Sequence, residues 1–319
     1  MSMDFGTLAA ESVSEGRISA EEIVELRRMG WADGSIGPNE AEALFTANDA
    51  CEEPTPEWCD FFVEALSHFI VQTVPPAGYI DEEMGDELIA RIDRDGKLGS
   101  MAELDLLVRV LEIAQNAPDR LKAYALKQIE EAVLTGEGPT RHGELSAKGI
   151  NETECALLRR MIFAPAGDRP AAVGQHEAEM LFRLKDAALY DVNALEWEKL
   201  FVQGVANYLF GFGGSEPLSN ERAAALEKFM NQEGAGIGVF LGRMFTSKPQ
   251  VEGGFGSLLN IGPHAADGES PADEAAELTA EESTWLTDML EADEELDPME
   301  KALLAWVAEE TGELFGVKM

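Results

Sequence analysis

Only three of the 319 residues are cysteines, Cys51, Cys59 and Cys155, and no two are spaced as CxxC. An odd number of widely spaced thiols argues against a disulfide framework and fits no standard zinc site, so free thiols in a reducing compartment are predicted. Histidine is almost as scarce. His68, His142, His176 and His264 form neither an HxxxH pair nor HExxH. There is no GxSxG elbow and no GxxxxGK[ST] phosphate loop. GAGIG at 234–238 follows a helical pattern rather than a strand, and so lacks the context of a dinucleotide fingerprint. Glutamates recur three or four apart, but no Glu-x-x-His accompanies them as a di-iron site requires. These absences predict a protein without catalytic activity.

Positive charge is also in short supply. The chain has 24 basic residues against 61 acidic ones, a net charge of −37. Such a surface repels nucleic-acid phosphate and anionic lipid, and attracts cations and basic partners. Long apolar runs are missing as well. FFVEALSHFIVQTV (61–74) is broken by Glu64, Ser67, His68 and Gln72, too short and too polar to span a bilayer. The first residues, MSMDFGTLAAESVSEG, have no basic n-region or apolar h-region, so no secretory signal is read and a cytoplasmic location is expected.

What the chain does have is self-similarity. ISAEEIVELRRM (18–29) matches INETECALLRRM (150–161), and NEAEALFTANDA (39–50) matches HEAEMLFRLKDA (176–187). EWCDFFVEALSHFIV (57–71) matches EWEKLFVQGVANYLF (196–210), in the same order. A third echo, 278–304, aligns without gaps on 18–44. An internal duplication accounts for this.

Each copy reads as helix. Ser19-x-x-Glu22, Asn151-x-x-Glu154 and Thr279-x-x-Glu282 are capping boxes placed before apolar-periodic runs. Trp58, Phe61, Phe62, Ala65, Leu66, Phe69 and Ile70 share one helical face, as do Trp197, Leu200, Phe201, Val205, Tyr208 and Leu209. Helices are predicted near 19–32, 38–50, 56–73, 81–92, 100–116, 119–135, 151–164, 176–190, 195–210, 219–232, 279–292 and 298–312. No run alternates as a strand.

The fold expected is all-α, with two related multi-helix bundle domains built from acidic helix–loop–helix units. The boundaries read as a disordered 1–17, a first domain over 18–136, a linker at 137–149 and a second domain over 150–245. A Gly-rich, acidic linker follows at 246–277, then a C-terminal helix pair at 278–319 that completes the second domain. Within the stretch 235–263 the acidity disappears, leaving a connector or a membrane- or partner-touching segment.

The turn ADGSIGPNE (32–40) has two readings. As punctuation, Gly34 ends one helix in the left-handed conformation, Gly37 and Pro38 start the next, Glu40 favours its first turn and Ile36 drops into the core. As a metal site, Asp33, Glu40, the Ser35 hydroxyl and loop carbonyls supply oxygen donors suited to calcium or magnesium. It is not an EF-hand. Nor is 91–102, where Arg91 and Ala102 stand at the first and last ligand positions of that register.

Ala32, Asp33, Gly34, Ile36 and Glu40 form an A-D-G-x-I-x-x-x-E pattern that resembles the signature of the tellurite-resistance TerB family. Asp95, Gly96, Leu98 and Glu103 resemble it with one extra residue, with Asp93 beside them. Ala292, Asp293, Glu294, Leu296, Pro298 and Glu300 keep all but the glycine. The second copy retains Asp168 and Glu177 but carries Arg169 for the glycine in a longer loop. The resemblance implies an acidic helical module that binds divalent cations through loop carboxylates, without catalysis. It also implies a link to metal or chemical stress and membrane-associated protein partners, beside the basic partners that the net charge favours. The ligands it implies are Asp33, Glu40, Asp95, Glu103, Asp293 and Glu300, with Ser35 and Asp93 in support. The competing class is an acidic helical interaction scaffold that holds no ion.

Overall fold

The structure, a computed structural model, describes residues 4–14, 16–32, 34–94, 97–141, 149–164, 173–211, 280–290 and 296–311. Helix starts follow the local sequence closely. Ser19, Ser100 and Asn151 each accept a hydrogen bond from the backbone of the glutamate three residues on, which answers with its carboxylate. Thr55 and Asp81 cap in the simpler one-way manner, onto Trp58 and Met84. Each such cap satisfies a backbone N–H that a helix start leaves without an intrahelical partner.

The described residues are predominantly α-helical, joined by one antiparallel pair, β1 (Asp93–Arg94) and β2 (Lys97–Leu98). The chain divides into two compact units, Met1–Ala147 with Ala164–Asp168, and Lys148–Phe163 with Arg169–Met319.

The first unit holds α1 (Phe5–Ser12), α2 (Ala20–Gly30), α3 (Pro38–Ala50), α4 (Pro56–His68), α5 (Glu82–Ile92), α6 (Met101–Ile113) and α7 (Asp119–Thr135). A π-helical turn, Phe69–Thr73, prolongs α4. The α4 face predicted from periodicity is its centre: Trp58, Phe61, Phe62, Ala65 and Leu66 are wholly buried. They pack against α6, whose Leu104, Leu107, Val108 and Leu111 are equally enclosed. Full burial of each large apolar side chain contributes about 1.5–3 kcal/mol before entropy is counted.

The reading of 1–17 as disordered is corrected over Phe5–Ser12. Asp4 caps α1 by accepting from the Thr7 backbone at 2.9 Å, and Phe5, Ala9 and Ser12 bury one face against α2 and α3. An eight-residue helix is marginal alone, so this packing is what holds it. Gly30 makes the close approach feasible. A Cβ there would lie 2.8 Å from the Ile36 Cδ1 and 3.1 Å from Phe5 Cε2.

The second unit holds α8 (Glu152–Ile162), α9 (Gln175–Ala188), α10 (Trp197–Gly211), α11 (Ala280–Leu290) and α12 (Pro298–Thr311). α10 packs on both α9 and α12. Phe182 of α9 stands edge-on to Phe201 of α10 at 5.1 Å and to Trp285 of α11 at 5.8 Å. Tyr208 meets the same Trp285 at 4.7 Å. The C-terminal helices therefore share one core with α9 and α10. The predicted helix 219–232, the segment 235–263 and the linker 246–277 lie outside the described residues.

Candidate functional site

The acidic turns were the residues to locate. In the first, Gly34 has φ +95°, Ile36 is wholly buried, Gly37 is the N-cap and Pro38 opens α3. Glu40 folds back over this helix start: a Cβ on Gly37 would lie 2.8 Å from its Oε2. Ser35 is half-buried, and Asp33 lies outside the described residues.

In the second turn Asp93 pairs with Leu98 across the small hairpin, and Asp95 lies outside the described residues. Glu103 is only 2 % exposed. Its Oε2 accepts from the backbone N–H of Gly99 at 2.8 Å and of Ser100 at 2.9 Å. The Tyr124 hydroxyl is buried without a hydrogen-bond partner. Burial first, then the charges of Asp93, Glu103 and Glu131, pushes that phenol up to about 12.

In the longer loop before α9, Glu177 accepts from the backbone of Gly174, and Asp168 lies outside the described residues. In the C-terminal turn Asp293 also lies outside them. There Glu300 is 1 % exposed and its Oε2 accepts from the Asp297 backbone at 2.9 Å. The glutamates of these four turns thus share one placement. Each returns its carboxylate to the start of its own helix, where orphan N–H groups and the helix dipole favour it.

The densest charge cluster among the described residues brings Glu300 together with residues that were not predicted. Lys185 of α9 is 1 % exposed, and its ammonium donates to Glu300 Oε1 at 2.6 Å and Asp297 Oδ2 at 2.5 Å. Asp186 stands 2.7 Å away. Oxygens of Asp186, Asp297 and Glu300 all lie within 4.8 Å of one another, a spacing that would suit a metal ion. The lysine ammonium fills that role. Burial works against its charge, but hydrogen bonds to Asp186, Asp297 and Glu300 together outweigh burial and raise its pKa.

The matching position of the first unit is neutral. The repeated blocks set Asn48 opposite Lys185 and Trp58 opposite Trp197. Asn48 accepts from Trp58 Nε1 at 3.2 Å and donates to Ser100 Oγ at 3.4 Å. Ser100 caps α6 as Asp297 caps α12. Lysine offers no acceptor, and the buried Trp197 Nε1 has no partner among the described residues. Two signals for this cluster were in the sequence: the Asn-to-Lys change between aligned blocks, and the cap pattern Asp297-x-x-Glu300.

Cys51, Cys59 and Cys155 are free thiols. Burial raises all three, with Cys155 reaching about 11, so none is an activated nucleophile at neutral pH. No helix among the described residues is long and apolar enough to cross a membrane. Set against known protein families, curated proteins and solved structures, the chain matches none of them.

Proposed function

We propose that this chain is a non-catalytic, acidic helical-repeat protein that acts by binding cationic partners, and that its inter-helix turns are joints of the fold. The observation that carries this reading is the engagement of Glu103, Glu177 and Glu300 with the backbone of their own helix starts. Carboxylates held this way close a helix end first, and the large residual negative charge is left for association. Duplication of one unit is part of the proposal. It is supported by the paired aromatic contacts Phe45–Phe62 at 5.7 Å and Phe182–Phe201 at 5.1 Å. It is supported too by Arg27–Glu64 at 2.6 Å in the first unit, against Arg159–Gln203 at 2.9 Å in the second.

Thermal melting in the presence of a chelator tests the reading. The expected result is a melting temperature that neither chelator nor added calcium or magnesium changes. A fall with chelator, reversed by either ion, refutes it. The second reading, divalent-cation binding of the kind the TerB resemblance implies, is favoured at one turn by the unpartnered Tyr124 hydroxyl beside Asp93 and Glu103. Under that reading Asp93→Asn abolishes the ion response.

A further inference from the structure

The turn from α9 into α10 presents three large apolar side chains to solvent. Tyr190, Val192 and Leu195 are 96 %, 91 % and 95 % exposed. The other exposed large apolar side chains among the described residues, Val24, Tyr79 and Leu134, stand singly and reach 65 % at most. The loop is pinned while it presents them. Asn193 donates through Nδ2 to the Ala188 carbonyl at 2.9 Å and accepts on Oδ1 from the Ile150 backbone at 2.8 Å. The Ala194 N–H donates to the Ile150 carbonyl at 2.8 Å. Six consecutive residues reach no further than about 20 Å, so the three side chains leave one small area. Helix connection alone does not call for them: at the matching place between α3 and α4 the chain reads CEEPT (51–55). The patch has an acidic rim, with Asp191 and Glu196 inside and beside the loop and Asp186, 52 % exposed, at the end of α9.

The size of the patch decides between occupants. Burying all three side chains removes roughly 200–350 Å² of apolar surface from water. A stable interface between separate proteins takes about 800 Å² from each partner. A second copy is further opposed by its own net charge of −37. A segment of the same chain needs less, because it meets the patch at an effective concentration on the order of millimolar. One segment has the matching chemistry. Residues 235–251, AGIGVFLGRMFTSKPQV, are rich in large apolar side chains, carry Arg243 and Lys248, and hold no acidic residue. They follow α10 in the stretch outside the described residues. Residues 212–236 can span roughly 50 Å even with the predicted helix 219–232. α10 has 15 residues, about 22 Å of helix, so the segment can return to the loop at its start. We infer that Tyr190, Val192 and Leu195 form the docking surface for residues 237–245 of the same chain, with Arg243 answering the acidic rim.

Photo-cross-linking of the full chain is the test, with Tyr190→p-benzoylphenylalanine at micromolar protein and the products mapped by mass spectrometry. Cross-links to residues 237–245 of the same chain are expected. Tryptic cleavage after Arg243 is an independent readout. Tyr190→Ser with Val192→Ser and Leu195→Ser should accelerate it roughly five- to twentyfold, the loss of a weak contact made at millimolar effective concentration. Val24→Ser, an exposed apolar residue in the first unit, should leave the rate unaltered. The inference is overturned by cross-links that avoid 237–245, by an unchanged cleavage rate in the triple variant, or by an equal rise in Val24→Ser. Cross-links between chains only would assign the patch to a second copy and overturn it. Sedimentation with phosphatidylcholine vesicles that the triple variant loses would assign it to a lipid surface and overturn it as well.

Discussion

Replacing Lys185 by asparagine gives the second unit the residue that the first unit carries at the matching position. The change strands two carboxylates, those of Glu300 (1 % exposed) and Asp297 (7 % exposed). Asp186 is 52 % exposed, so water screens its loss and its share is discounted. Breaking a buried pair from one side costs about 3–5 kcal/mol. Asparagine also supplies the acceptor that Trp197 lacks, which recovers about 1 kcal/mol. The net loss of about 2–4 kcal/mol falls on the docking of α12 and corresponds to roughly 30- to 700-fold faster hydrogen exchange of its amides. Exchange followed by mass spectrometry over Pro298–Thr311 reads this directly. Adding Asp297→Ser then rebuilds the neutral Asn48–Ser100 arrangement, and exchange should return to within about tenfold of the original rate. Unchanged exchange in Lys185→Asn, or no recovery in the double variant, refutes the account. The pH dependence has a definite sign. The folded-state pKa of Lys185 is raised, so its contribution is full below the ordinary lysine value and is lost only as pH rises through the folded value. The difference between the original and Lys185→Asn proteins should therefore stay constant across neutral pH and shrink in strong alkali.

The two buried indoles offer a matched pair. Trp58→Phe leaves the Asn48 carbonyl without its donor, whereas Trp197→Phe removes a donor that has no partner. In urea denaturation Trp58→Phe should be the more destabilising by about 1 kcal/mol, and equal losses would contradict the assignment. At Cys155 burial is the main cause of a thiol pKa of about 11, with Arg159 opposing and Glu196 adding to the rise. Its alkylation by iodoacetamide in folded protein should accelerate about tenfold per pH unit from neutrality to pH 10 or so. A plateau setting in by about pH 9 would show an ordinary thiol.

The capping boxes at Ser19 and Asn151, the buried α4 face and the glycine–proline start of α3 were legible because each depends on residues within a turn or two of one another. The α1 helix was not. Phe5 and Ala9 make too short a pattern to stand out, and the partner that completes it, the bare surface at Gly30, is 25 residues downstream of Phe5 by number. Among the acidic turns, spacing draws attention to the carboxylates at Glu40, Glu103 and Glu300. Spacing could not tell whether they face a ligand or their own helix start, because both uses need an acid at the same place after a tight turn. Lys185 stayed hidden for another reason. A lysine on a helix usually faces solvent, and its partners Asp297 and Glu300 stand 112 and 115 residues away.

That separation has a consequence for synthesis. While the ribosome is still translating the residues between α10 and α11, Phe182 and Tyr208 lack the ring of Trp285, and Lys185 sits on an apolar face with no counter-charge from α12. The first unit can close as soon as α7 leaves the exit tunnel. The second must wait until α12 has been made, which makes the nascent α9–α10 hairpin the stretch most in need of a chaperone.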